Sequence, residues 1–275
     1  MKIKIDKPLS ILEALARLSP QSSKNNLKEW IKLERVFIDD ALVKNFNCIV
    51  QSGQIVSLGI KKIKSKTPYE ILYQDEYLIC VFKPCGLLSV KSANEDERSL
   101  EELLKEQFKE VYAVHRLDKF TSGVMVFALT KPCEALLNKL FEYHKLNRCY
   151  VAVIEGKLSQ KQGTWQSYLY EDASLFVRST NDKSKGRLAI THYKVLQESK
   201  YNSLVEFNLE TGRKNQIRVH TSNFGHPIAG DKKYGAKTDP LKRLLLHAKL
   251  LGFEHPVTKK PLEFSYDAPK EFYSL

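Results

Sequence analysis

Apolar runs long enough to span a bilayer are missing from this 275-residue chain. The longest clean ones, such as Gly123 to Leu129, fall far short of the roughly 20 residues a spanning helix needs, so no membrane partner is expected. No secretory leader is expected either, because Glu13 and Arg17 interrupt the apolar stretch of Met1 to Leu18. CxxC pairs are absent and the five cysteines are an odd number, which argues against a disulfide framework and for the reducing cytoplasm. The seven histidines are scattered without zinc spacing. GxxxxGK[ST], GxGxxG and HExxH are all missing, so nucleotide-hydrolysing, dinucleotide and zinc-protease chemistry has no foothold. Acidic residues are also short: 32 Asp and Glu face 44 Lys and Arg, a formal charge of +12. A surplus of that size favours a polyanionic partner such as nucleic acid. Hydrophobic residues make up 43% of the chain, enough for a core, which excludes a mainly disordered protein.

The charge is uneven. Residues 1–67 carry +7 and the remaining 208 residues only +5. A basic nucleic-acid-binding module at 1–60 is therefore expected, joined through a cationic linker at 61–68 to a larger domain at 69–275. Within the module, Ser10 and Glu13 read as a capping box opening a helix with Leu9, Leu12, Leu15 and Ala16 on its apolar side. Ser22 or Ser23 caps a second helix that buries Leu27, Trp30 and Ile31. Lys24, Lys28, Lys32 and Arg35 lie mostly to its other side, where they can meet an RNA backbone or simply form a solvated face. Val36–Ile38 reads as a strand and Asp39–Asp40 as a turn. Ile49–Val50 and Ile55–Val56 flank a turn at Ser52–Gly53 and complete a small hairpin sheet.

Beyond Pro68, strands are expected over 77–82, 124–129, 150–154, 189–196, 204–209 and 244–250, with helices over 99–108, 132–143 and 214–224. The fold class is α+β: a small N-terminal helix-hairpin domain, then a larger domain around a mostly antiparallel mixed sheet.

Three polar stretches stand out. His115-Arg116-Leu117-Asp118-Lys119-Phe120-Thr121-Ser122-Gly123 feeds straight into an apolar strand, which suits a cleft floor but equally a surface turn. A superficial likeness to a kinase catalytic loop fails, because a leucine separates the arginine from the aspartate and no glycine-rich phosphate loop is present. Thr211-Gly212-Arg213-Lys214-Asn215-Gln216-Ile217-Arg218-Val219-His220 surrounds an expected helix start, and Arg148-Cys149-Tyr150 enters a strand.

On these residues the body, about 69–275, resembles the RluA family of RNA pseudouridine synthases. It carries that family's HRLDxxTSG signature at 115–123 and TGRxxQIRVH at 211–220. Lys83-Pro84-x-Gly86, the stretch His226 to Gly235, and Leu246-His247-Ala248 followed by His255-Pro256 add to it. Phe120 stands where an acidic residue is common and Lys214-Asn215 where Thr-His is common; neither is expected to touch the chemical groups. Residues 1–60 resemble the alpha-L type RNA-binding domain, which implies structured RNA as partner.

The resemblance implies an isomerisation in which uracil leaves its ribose, turns, and rejoins through ring carbon-5, with no cofactor. It makes Asp118 the catalytic carboxylate, acting on the sugar, on the base or on a sugar proton. It makes Arg218 the partner of Asp118, Tyr150 an active-site ring able to stack on uracil and to help remove the carbon-5 proton, and Leu246 a pocket-lining residue. Arg116 either holds the flipped nucleotide's phosphate or the bases it leaves behind, or forms a fold-stabilising ion pair. The RNA is expected to be that of the large ribosomal subunit, with transfer RNA as the alternative, and the protein a monomer. A non-catalytic RNA-binding or ribosome-assembly protein is the competing reading; it has no need for Asp118, Tyr150 and Arg218 together.

Overall fold

The structure is a computed structural model. It describes residues 2–274 apart from 21, 33–34, 40, 59–66 and 93–95. Asp40 and most of the expected linker therefore lie outside the described residues. The chain divides into two compact units, Met1–Lys66 and Thr67–Leu275.

The first unit runs β1 (Lys2–Lys4), β2 (Leu9–Ser10), α1 (Ile11–Leu18), α2 (Lys24–Lys32), β3 (Val36–Ile38), β4 (Ala41–Leu42), β5 (Ile49–Val50) and β6 (Ile55–Leu58). The capping box at Ser10 and Glu13 forms in full. The buried side of α1 is Ile11, Ala14 and Leu15, while Ala16 is exposed, contrary to the expected face. Ile11 opens an i, i+3, i+4 series on one side of the helix; Leu12 packs partly against the same core, and Ala16 falls out of phase with it. The 49–56 segment also differs from expectation. Its two strands do not pair with each other: β5 pairs with β2, whereas β6 lies between β1 and β3 in the order β1-β6-β3-β4. Each strand instead packs Val50 or Val56 into the one core that also takes Leu27 and Ile31 of α2.

The second unit contains β7 (Glu70–Gln74), β8 (Leu78–Lys83), α3 (Leu100–Lys105), β9 (Tyr112–Ala113), β10 (Ser122–Ala128), α4 (Lys131–Glu142), β11 (Asn147–Glu155), β12 (Gln162–Glu171), β13 (Val177–Thr180), β14 (Arg187–Glu198), β15 (Asn202–Leu209), α5 (Gln216–Asn223), β16 (Leu246–Glu254) and β17 (Pro261–Ser265). The strands form one sheet in the order β13-β12-β14-β15-β11-β16-β10-β8-β7, with β17 on β16 and β9 on β10. Its pairings are antiparallel except β10 with β16, so the unit is a mixed, mostly antiparallel α+β fold.

Strand β10 shows why its sequence reads as an unbroken apolar run. Val124, Val126 and Ala128 pack into one cluster with Cys133 and Leu137 of α4. Met125 and Phe127 point the other way, into a cluster with Leu100 and Leu104 of α3. A strand covered on both faces has no wet side to alternate with. The parallel neighbour comes so close that a Cβ on Gly123 would lie 2.2 Å from the carbonyl oxygen of Ala248. That contact, together with a φ of +131° at Gly123, explains why the motif ends in glycine.

Candidate active site

Strands β11, β16 and β10 are neighbours, and the expected site residues gather where they meet. Tyr150 pairs across with Ala248, and Ala152 with Leu246. Ser122 and Gly123, just beyond the Asp118 loop, pair with His247 and Ala248. A cleft of about 650 Å³ opens there. Asp118, Tyr150, Arg218, Leu246 and Arg116 all line it, joined by Arg148, Arg213 and Asn215.

The loop carrying Asp118 is clamped on both flanks. Ser89 Oγ donates to the Leu117 carbonyl (2.7 Å) and accepts from the Leu117 amide (3.0 Å). On the other side, the fully buried Lys83 ammonium donates to the carbonyls of Lys119 (3.1 Å), Leu87 (2.7 Å) and Pro84 (3.0 Å). Burial lowers the Lys83 pKa to about 8, with Cys85 and Asp118 opposing that shift, so the group is still a cation at neutral pH. Beneath the loop, Ser122 accepts from Arg243 (2.8 Å) and is hydrogen-bonded to His247 (2.9 Å).

Arg218 enters from the first turn of α5. Its Nη1 donates to Asp118 Oδ2 at 2.8 Å, which joins residues 100 apart in the chain. Its Nε and Nη2 grip both oxygens of Asp231, at 2.7 and 2.8 Å. Asp231 was not singled out for this role from the sequence, although it sits in the matched stretch from His226 to Gly235. Its side chain is 1% exposed, against 27% for Asp118. Burial works against the charge of Arg218, but the bonds and charges of Asp231, then Asp118, outweigh it and push the guanidinium above its ordinary pKa. Asp231 is thus the buried anchor, the guanidinium is fixed by it, and one remaining N–H holds the more open carboxylate of Asp118.

Asn215 adds a second hold. It occupies the left-handed region, φ +54°, at the amino end of α5, a conformation that asparagine tolerates better than most residues. In the amide orientation that satisfies both ends, its nitrogen donates to both Asp118 oxygens (2.8 and 3.0 Å) and its oxygen accepts from the Tyr234 hydroxyl (2.9 Å). The expectation that the departure at 214–215 would not touch the chemical groups is therefore wrong. The left-handed backbone aims that side chain at the carboxylate, which local spacing does not reveal.

Tyr150 is half-buried, and its pKa is pushed up to about 12, chiefly by burial; the charge of Arg148 opposes the shift and that of Asp118 adds to it. It is a neutral phenol at pH 7. Leu246 is buried, and Arg116 is exposed on the cleft lining, where it forms no ion pair among the described residues. Gln216 and His220 of the 211–220 stretch are structural. The Gln216 side chain accepts from Thr211 Oγ1 and the Arg213 amide and donates to the Ile190 carbonyl and Thr191 Oγ1, each at 2.9 Å. His220 bridges Thr191 and Ser167. These bonds fasten the loop to β14, which is what holds Arg218 in place.

In the first unit, Lys24, Lys28 and Lys32 are exposed along α2. The Arg35 guanidinium lies 5.6 Å from the centre of the Trp30 ring.

A paired aspartate and arginine and a neutral tyrosine thus line one sizeable cleft in a basic α+β protein. A family model described as RNA pseudouridylate synthase matches residues 77–223. The uncharacterized RNA pseudouridine synthase YhcT of Bacillus subtilis is 31% identical, over 96% of this chain and 91% of that one. A protein of Xylella fastidiosa named ribosomal large subunit pseudouridine synthase D is 32% identical, over 95% and 86%. Among solved structures, human RNA pseudouridylate synthase domain containing 4 superposes with a TM-score of 0.60 at 26% identity, covering 74% of this chain and 90% of that one. Human RNA pseudouridylate synthase domain containing 1 shares the fold, with a TM-score of 0.63 at 23% identity over 73% and 84%. The chain belongs to the RluA-type RNA pseudouridylate synthase family, and it is an RNA pseudouridine synthase.

Proposed function

We propose that this enzyme converts specific uridines of large-subunit ribosomal RNA to pseudouridine in the cytoplasm, with Asp118 as the catalytic carboxylate and no cofactor. The observation that carries the assignment is the 2.8 Å bond from Arg218 to Asp118 at a cleft that Tyr150 and Leu246 also line. In the overall reaction the N1–C1′ bond breaks and the C5–C1′ bond forms. Carbon-5 gives up a proton and N1 gains one, so the atoms balance without a co-reactant. The charge of Asp118 is held against the anomeric carbon by Arg218 and Asn215, while Asp231 keeps the guanidinium from turning away. Tyr150 offers a ring face for the displaced uracil. With its pKa at about 12 it rests as a phenol, which argues against a standing phenolate as the base for the carbon-5 proton. A uridine in folded RNA reaches this cleft only by leaving its stack, at a cost of a few kcal/mol that phosphate contacts must offset.

Two features support ribosomal RNA as the substrate. Relatives named for the large ribosomal subunit align over nearly the whole chain. The small basic unit, with its resemblance to the alpha-L type RNA-binding domain, suits a large structured RNA. The test is to map pseudouridine in cells lacking the gene and to restore the gene as wild type or as Asp118→Asn. Loss at one or a few ribosomal uridines, rescued by wild type alone, is expected. Loss confined to transfer RNA would overturn the substrate, and rescue by Asp118→Asn would overturn the catalytic residue.

A further inference from the structure

Two arginines lie deep in the cleft, and only one has acidic partners. Arg218 is held by Asp118 and Asp231. Arg148 is 8% exposed and lines the same cleft, yet among the described residues it has no carboxylate partner. Among the described residues its guanidinium forms one bond, from Nη2 to the Glu210 carbonyl at 3.3 Å, and its buried Nε has no partner. The Glu210 carboxylate is turned elsewhere, 3.2 Å from His192.

The surroundings make room for this guanidinium rather than neutralise it. A Cβ on Gly212 would stand 2.2 Å from Arg148 Nη1, so the glycine of the 211–213 loop is what lets the fork lie there. Burial works against its charge, the Tyr150 phenol favours it and the neighbouring Arg213 cation opposes it, and the His144 Nδ1 nearby is likewise buried without a partner among the described residues. Arg148 and Tyr150 are two apart on β11 and so share one face of the strand. A buried cation with most of its donors idle is costly in isolation. The cost is removed if an anion arrives with the substrate, and RNA brings phosphates.

We propose that Arg148, with Arg213 beside it, is the subsite for a backbone phosphodiester of the RNA strand that carries the target uridine. This rests on the RNA-modifying reading of the same cleft and adds a contact to it. A planar fork beside the ring of Tyr150 fixes the sugar-phosphate while the base is held over the ring, so Arg148 orients the displaced nucleotide rather than supplying general affinity.

The experiment compares full-length wild type, Arg148→Met, Arg148→Lys and Asp118→Asn. The first readout is thermal melting with and without inorganic phosphate. Wild type and Asp118→Asn gain about 2–4 °C with phosphate; Arg148→Met gains nothing and melts no lower than wild type in its absence. The second uses total RNA from cells lacking the gene. Arg148→Met forms pseudouridine at least about tenfold more slowly at saturating RNA, and its slope of log affinity against log salt falls by about 1. Arg148→Lys keeps the slope but not the rate, because a point charge lacks the fork. A phosphate response in Arg148→Met equal to wild type, or an unchanged salt slope, overturns the proposal. So does melting several degrees lower with normal turnover, which would make Arg148 a structural brace. Wild type that responds to phosphate through Arg148 but forms no pseudouridine would uphold the anion subsite and count against the enzymatic reading alone.

Discussion

Positive charge is deployed in opposite ways in the two units. In the first, Lys24, Lys28 and Lys32 stand exposed on one helix, on flexible stems in water. In the second, Arg148 and Arg218 are sunk into a cleft, one hemmed in by Gly212 and the Glu210 carbonyl, the other locked by two aspartates. Exposed lysines attract any phosphate and are screened by salt. Buried forks act over a few ångströms and only in one geometry. The difference separates holding RNA from aligning one nucleotide, and it can be broken experimentally.

The largest effect is expected from Asp118→Asn. Pseudouridine formation should disappear in a purified assay while RNA affinity by filter binding stays within about tenfold, because the carboxylate and the phosphate contacts are separate contributions. A fall in affinity as large as the fall in rate would erase the division of labour.

Acid should split the units next. His220 and His247 of the second unit are buried and His115 is half-buried, and desolvation is the main cause that depresses the pKa values of His115, His220 and His247 from 6.5 to about 3, 4 and 4. The folded state therefore binds fewer protons than the unfolded state over that window. Stability is complete above pH 6.5 and is lost as pH falls toward 4, by several kcal/mol in sum. The first unit has no histidine. Hydrogen exchange on the full chain should show residues 67–275 opening first between pH 6.5 and 4; simultaneous opening would count against this.

A smaller effect comes from Asp231→Asn, which removes the buried partner of Arg218. It should lower stability by about 3 kcal/mol and slow turnover more than it weakens binding. Equal losses in rate and affinity would assign Asp231 to RNA contact rather than to fixing the guanidinium. The mildest expectation concerns Lys24, Lys28 and Lys32 changed together to alanine. Turnover at saturating RNA should hold, affinity should fall by about tenfold or more, and the salt slope should drop by about 2–3. A changed rate at saturation would contradict the separation of roles.

Legibility tracked burial. Strands β8 and β10, covered on both sides, announce themselves as apolar runs. Strands β12 and β17 are hard to read in the sequence: β17 alternates only between half-buried and exposed, β12 buries just Trp165 and Leu169, and Gln, Ser, Thr and Glu dilute the pattern. The apolar pattern places the start of β16 two residues early, because Leu244 and Leu245 prolong the apolar run into a preceding segment that is buried without being strand. Within the site, Asp118, Arg218, Tyr150 and Leu246 were readable from signatures, whereas Asp231, Asn215 and the isolation of Arg148 were not.

What the sequence determined by itself is the inventory and the family: a basic chain, an HRLDxxTSG loop entering a buried strand, and a TGRxxQIRVH stretch opening a helix. The tertiary structure alone decided the pairings. Which carboxylate Arg218 grips with two bonds, which it touches with one, and which arginine is left with none depend on groups brought together from up to 100 residues apart. Charge partnership falls off over a few ångströms in space, so it follows the path of the folded chain and leaves no periodic trace along it.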